Sequence, residues 1–141
     1  MQINDLVREA YENAKTKGFH DKPATFGDRI ALIHSEASEA LEAFRDLDND
    51  SYDAIRVPIY LNQESGYMTR DSGHYSHALV DHDRPDDWVL HKPEGVCAEL
   101  ADIVIRVADL CGLYGIDLEK AIKEKLSFNK TRPYRHGGKL L

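Results

Sequence analysis

The chain has 141 residues, 42% of them hydrophobic, and a formal net charge of −7. A compact domain of about 150 residues buries roughly 68 to 70% of its unfolded surface, so one domain of this length can hold a core without disulfides. The charge argues against non-specific nucleic-acid binding, and no run of about 18 apolar residues is present to span a bilayer.

The opening residues, MQINDLVREAYENAKTKG, are amphipathic and charged rather than an apolar leader, which predicts a cytoplasmic protein with no membrane partner. Ile3, Leu6, Val7, Ala10 and Ala14 recur at helical spacing and predict a first helix over 3–17, ended by Gly18. Thr25 and Asp28 stand in capping-box spacing at the head of a second helix, 26–47, whose apolar face carries Ile30, Ile33, Ala37, Leu41 and Phe44. Residues 48–92 are rich in Asp, His, Tyr and turn formers and read as a long insertion. Within them, AIRVPIYL suits a short strand or an extended edge, because Pro58 is tolerated at a sheet edge and not in a central strand. A third helix is expected over 93–113, opened by Pro93 and Glu94 and aligned on Val96, Leu100, Ile103, Val107 and Leu110. Asp117 is the expected N-cap of a fourth helix, 118–130, carrying Leu118, Ala121, Ile122 and Leu126. The fold class is thus all-α, a four-helix core with an insertion between the second and third helices. Cys97 and Cys111 fall on the third helix fourteen positions apart. That is about 21 Å at 1.5 Å per residue, so both are expected as reduced core thiols.

Two helices share one anomaly. In HSEASEALEAF, residues 34–44, Glu36 and Glu39 interrupt an otherwise apolar pattern. At 100° per residue they fall about 80° and 140° to one side of the apolar face, and Glu99 and Asp102 fall at about the same two angles on the third helix, in the same sense. An antiparallel pairing of the two helices would bring all four acids to one side. Four converging carboxylates repel and lose hydration unless protons or a cation are bound, and a hard divalent ion such as magnesium takes oxygen ligands. Solvated edges of two amphipathic helices are the plainer account of the same residues.

HSEASEALEAF followed by EGVCAELADIVIRVADLCGLYGIDLEKAIKEKLSFNKTRPYRHGGK resembles the MazG-like branch of the all-α nucleoside triphosphate pyrophosphohydrolases, which carry E-x-x-E and E-x-x-D on successive helices. The likeness covers residues 26–47 and 93–139, roughly half the chain. It implies an antiparallel four-helix bundle in a single domain over 1–141. It also implies Mg2+, with Mn2+ as a substitute, bound by Glu36, Glu39, Glu99 and Asp102, which serve as the catalytic set. The implied reaction is cleavage of nucleoside or deoxynucleoside triphosphates to monophosphate and pyrophosphate, in a homo-oligomer, dimer or tetramer, that serves nucleotide-pool control. Glu39 is the expected base.

Residues 125–139 hold five Lys and Arg and no acid. Lys125 and Asn129, at i and i+4, are the expected substrate-binding pair, with Arg132, Tyr134 and Arg135 beside them; cations suit phosphate oxygens. The alternatives are a non-catalytic helical interaction module, or a pyrophosphohydrolase acting on another phosphoanhydride nucleotide. A di-iron bundle is disfavoured because neither acid pair has a His three positions on. His74, His77, Asp81 and Asp83 form a weaker candidate metal set. Arg106 and Asp109 suit a supporting role beside the acids. Phe19, His20 and Trp88 are candidates for stacking or packing.

Overall fold

The computed structural model describes residues 1–47, 55, 59–61, 68–70 and 92–134, and among these it holds four long helices and one small sheet. The protein is mostly helical, and among the described residues no helix is long and apolar enough to cross a membrane. His74, His77, Asp81, Asp83 and Trp88 lie outside the described residues, as does Arg135.

Helix α1 runs Ile3–Thr16 and stops where Gly18 takes a φ of 76°. The Phe19 N–H donates to the Ala14 carbonyl at 3.0 Å and the Gly18 N–H to that of Lys15 at 3.1 Å. These paired reverse bonds satisfy carbonyls that a helix end otherwise leaves open, and they need a residue without a Cβ at the turning point.

Helix α2, Phe26–Arg45, opens as its local sequence predicts. The Asp28 N–H donates to Thr25 Oγ1 at 3.2 Å, and the Thr25 N–H donates back to Asp28 Oδ2 at 2.8 Å. The Thr25 backbone and then its hydroxyl hold the Asp28 carboxyl below the ordinary carboxylate range. A depressed carboxyl contributes stability that is present above its unfolded pKa, about 3.9. That contribution is lost as pH falls from there through the lower folded value. Thr25→Ala is expected to cost about 1 kcal/mol, measured by denaturant titration at neutral pH, because the helix loses its N-cap acceptor. The difference between the variant and the parent chain should shrink once Asp28 is protonated.

Three short strands follow among the described residues. β1, Ile59–Leu61, is the middle strand, antiparallel to β2, Met68–Arg70, and to β3, Lys92–Glu94. Tyr60 lies opposite Thr69 on one side and Pro93 on the other. The strand expected in AIRVPIYL is therefore present, but at the centre of the sheet and not at its edge. Pro58 lies outside the described residues; Pro93 sits on an outer strand, where a missing N–H interrupts no second ladder.

This pairing shifts the start of the next helix. Lys92–Glu94 is strand rather than first turn, Gly95 turns the chain with a φ of 90°, and α3 spans Val96–Tyr114. The Gly95 carbonyl accepts the N–H groups of Ala98 at 2.9 Å and Glu99 at 3.1 Å. After Gly115, helix α4 covers Leu118–Lys130, with the Asp117 carboxylate accepting the Lys120 N–H at 3.0 Å.

The chain folds into two compact units, residues Met1–Ala24 with Ile105–Leu141, and residues Thr25–Val104. In the first, α1 touches α4: Asn4 Nδ2 donates to Asp117 Oδ1 at 3.1 Å and the Glu119 N–H donates to Asn4 Oδ1 at 3.3 Å. Ala10, Ala14, Ala108, Leu110 and Cys111 are buried there. Cys97 is half-buried and Cys111 buried; both are free thiols, and burial pushes both pKa values up.

In the second unit the buried side of α2 differs from the expected one. Glu36 and Ala40 are its buried residues, with Ile33 and Ala43 intermediate, whereas Leu32, Ala37, Leu41 and Phe44 are exposed. On α3, Val96 and Glu99 are buried and Leu100 is exposed. The helices turn their acid-bearing flanks inward and leave part of the large apolar side chains outside.

Candidate metal centre

Burial of Glu36 and Glu99 is the feature to explain, at 7% and 8% of their exposed area. Carboxylates are almost never fully buried unless paired, because losing hydration is costly. Glu36 sits mid-way along α2, and Glu99 and Asp102 occupy the first two turns of α3, one turn apart on one face. One carboxylate oxygen from each of Glu36, Glu99 and Asp102 lies within 4.8 Å of the others. Opposite ligands of one oxygen-coordinated ion stand about two metal–oxygen bonds apart, and such bonds run about 2.0 to 2.6 Å. The spacing fits a single shared cation.

Electrostatics agree with the spacing. The Glu99 carboxyl is raised above the ordinary range, first by desolvation and then by the charges of Glu39, Asp102, Glu36 and Glu94. The donor set is all carboxylate oxygen, hard and anionic, which suits magnesium, manganese or calcium better than a thiolate-preferring metal. This buried acidic cluster could hold a metal ion.

Three of the four expected ligands are thus brought together. Glu39 is near enough to raise Glu99 but stands outside the three-oxygen group, exposed, with Ser35 Oγ donating to its Oε1 at 3.1 Å. Helical angle alone does not announce this distinction, since it gives Asp102, which is inside the group, the same offset as Glu39, which is not. Glu94 was not expected in the centre; it acts on Glu99 from the end of β3. Its only sequence signal is its position five residues before Glu99.

Lys125 and Asn129 lie exposed on α4, and Arg132 and Tyr134 lie exposed just beyond its end. Asp109 Oδ1 is 2.9 Å from His20 Nε2, with both side chains largely buried. The His20 ring packs on Tyr11, centroids 5.3 Å apart, so His20 is a packing residue of the first unit. No family model matches the chain, and no curated protein or solved structure matches it.

Proposed function

We propose that the protein is a magnesium-dependent nucleoside triphosphate pyrophosphohydrolase of the MazG-like kind, releasing pyrophosphate from nucleoside or deoxynucleoside triphosphates in the cytoplasm. The observation that carries it is the convergence of Glu36 with Glu99 and Asp102, two buried glutamates and an aspartate from two helices, at a spacing one cation can bridge. The i, i+3 placement of acids on both α2 and α3 supports the same likeness, as does the order in which LSFNKTRPYRHGGK follows them.

A divalent cation bound there supplies positive charge against the polyphosphate and acidifies water near neutral pH. Glu36, Glu99 and Asp102 hold that charge in place. Glu39, exposed beside Glu99, is suited to take the proton from the attacking water, because its carboxylate is free of the three-oxygen group and keeps solvent access. Lys125 and Arg132, with Asn129, Tyr134 and Arg135, bind the phosphates and sugar. The antiparallel four-helix bundle in one domain, and assembly as a dimer or tetramer, belong to the same proposal. The exposed Leu32, Leu41 and Phe44 on α2 support assembly by offering apolar area for a second copy to cover.

The test is a panel of nucleoside triphosphates with magnesium, scored for pyrophosphate through a coupled pyrophosphatase and for orthophosphate without it. Pyrophosphate as first product is expected for at least one substrate, lost on chelation and restored by magnesium or manganese. Orthophosphate as first product, or turnover in a chelator, would sink the proposal.

A further inference from the structure

Phe128 stands 58% exposed on α4, where its ring adds little to any core. Lys125 Nζ and Arg132 Cζ each lie 5.8 Å from its ring centroid. That is inside the reach of about 6 Å at which a cation is drawn to a ring face. The spacing is i−3 and i+4, so the ring sits between the two cations along one side of the helix and its end.

The charges on α4 are divided. Lys120 pairs with Glu124 at 4.0 Å and Lys123 pairs with Glu119, both at i,i+4. Lys125 and Arg132 form neither an ion pair nor a side-chain hydrogen bond among the described residues; the Phe128 ring is their shared contact. A ring face attracts a cation without using its N–H donors, so three donors on Lys125 and five on Arg132 remain open to a ligand. Tyr11 offers the contrast, a half-buried ring packed on His20 with the single cation of Lys15 at 5.9 Å.

We propose that Phe128 is a positioning residue, its ring gathering Lys125 and Arg132 into a two-pronged clamp for a polyphosphate chain. The choice of a nucleotide polyphosphate as natural ligand rests on the pyrophosphohydrolase proposal, whereas the clamp concerns anion binding alone. Two cations seven positions apart can each take a different phosphoryl group, so the clamp favours a chain of phosphates over a single one. Holding both heads on one ring before binding removes part of the ordering cost that long flexible side chains otherwise impose.

Inorganic tripolyphosphate, with orthophosphate as control, is titrated into the full chain by calorimetry in a chelator, so that no divalent ion contributes. Phe128→Leu keeps the apolar bulk and removes the ring; Phe128→Trp keeps a ring. Tripolyphosphate should bind the parent chain more tightly than orthophosphate. Its Kd should weaken at least about threefold in Phe128→Leu, the scale of losing exposed cation–ring contacts, and return in Phe128→Trp. Lys125→Ala with Arg132→Ala should remove most of the binding. No tripolyphosphate binding by the parent chain, an unchanged Kd in Phe128→Leu, or equal weakening in both Phe128 variants would overturn the clamp. Ring-dependent tripolyphosphate binding in a chain that releases no pyrophosphate from any nucleotide would overturn the reaction proposed above and leave the clamp standing. In turnover the clamp predicts a raised KM with kcat held in Phe128→Leu, which a general loss of structure would not give.

Discussion

Glu99→Gln is expected to abolish metal-dependent turnover and to make the metal-free protein more stable, two effects of opposite sign from one atom exchange. Glu99 is buried, and its carboxyl is raised first by desolvation and then by Glu39, Asp102, Glu36 and Glu94. A carboxyl whose folded pKa is raised costs stability above that pKa, and the cost is relieved as pH falls through it. A neutral amide of nearly the same volume removes the cost at neutral pH, so the variant should melt higher without metal. The gap should close at acid pH, where Glu99 is itself protonated. With metal the order reverses. Loss even of an outer partner of a ligand costs about 10- to 100-fold in metal affinity, so loss of a charged ligand should cost at least about 100-fold. At a metal concentration 100 times the parent Kd, linkage gives about 2.7 kcal/mol of stabilisation to the parent chain and only about 0.4 kcal/mol to a variant bound 100-fold more weakly. Thermal denaturation with and without Mg2+ or Mn2+ reads both signs. A metal-induced shift in Glu99→Gln equal to that of the parent would move the ion away from this cluster, and a lower metal-free melting point would show that the buried charge is compensated by its neighbours.

What the sequence made legible follows the range over which each feature is determined. The caps at Thr25 with Asp28 and at Asp117, and the stop at Gly18, depend on neighbours within a few positions, and each stands where local chemistry places it. The acid pairs were legible for the same reason, since i and i+3 fix a shared helix face whatever the helix packs on. The inward side of α2 was less so. Its apolar count points to Leu41 and Phe44, yet Glu36 and Ala40 are buried, because what lies inside is decided by the partner surface and not by the helix. Strand β3 was missed because Pro93 and Glu94 also suit a helical first turn. Its pairing of Lys92 with Leu61 is a contact across 31 positions that no local pattern announces. The same limit hid His20 with Asp109, 89 positions apart.

Two glycines in helices should answer alanine in opposite directions, which tests how tightly the first unit is packed. Interior glycine costs a helix about 0.8 to 1.0 kcal/mol relative to alanine, so propensity alone favours the substitution at both. At Gly27, in the first turn of α2, a Cβ would meet only Thr25 Oγ1 at 3.6 Å, an ordinary contact. Gly27→Ala is expected to stabilise by about 0.4 to 1 kcal/mol, chiefly by narrowing the unfolded ensemble. At Gly112 on α3 a Cβ would stand 2.5 Å from Tyr11 Cβ, 3.0 Å from Tyr11 Cγ and 3.2 Å from the Val7 carbonyl oxygen. A Cβ and a backbone oxygen are fixed to their helix, so no rotamer change of Tyr11 makes room, and α1 must move away from this part of α3. Overpacking of that kind costs about 1 to 3 kcal/mol net, enough to outweigh the gain in propensity. Movement of α1 should also disturb the His20 ring stacked on Tyr11 and its hydrogen bond to Asp109, visible as a shift of the His20 ring resonances in Gly112→Ala. Denaturant titration of the two variants reads the signs directly. Stabilisation by Gly112→Ala would mean that α1 and α3 are not in close backbone contact at Tyr11, and the packing assigned to the first unit would fall with it.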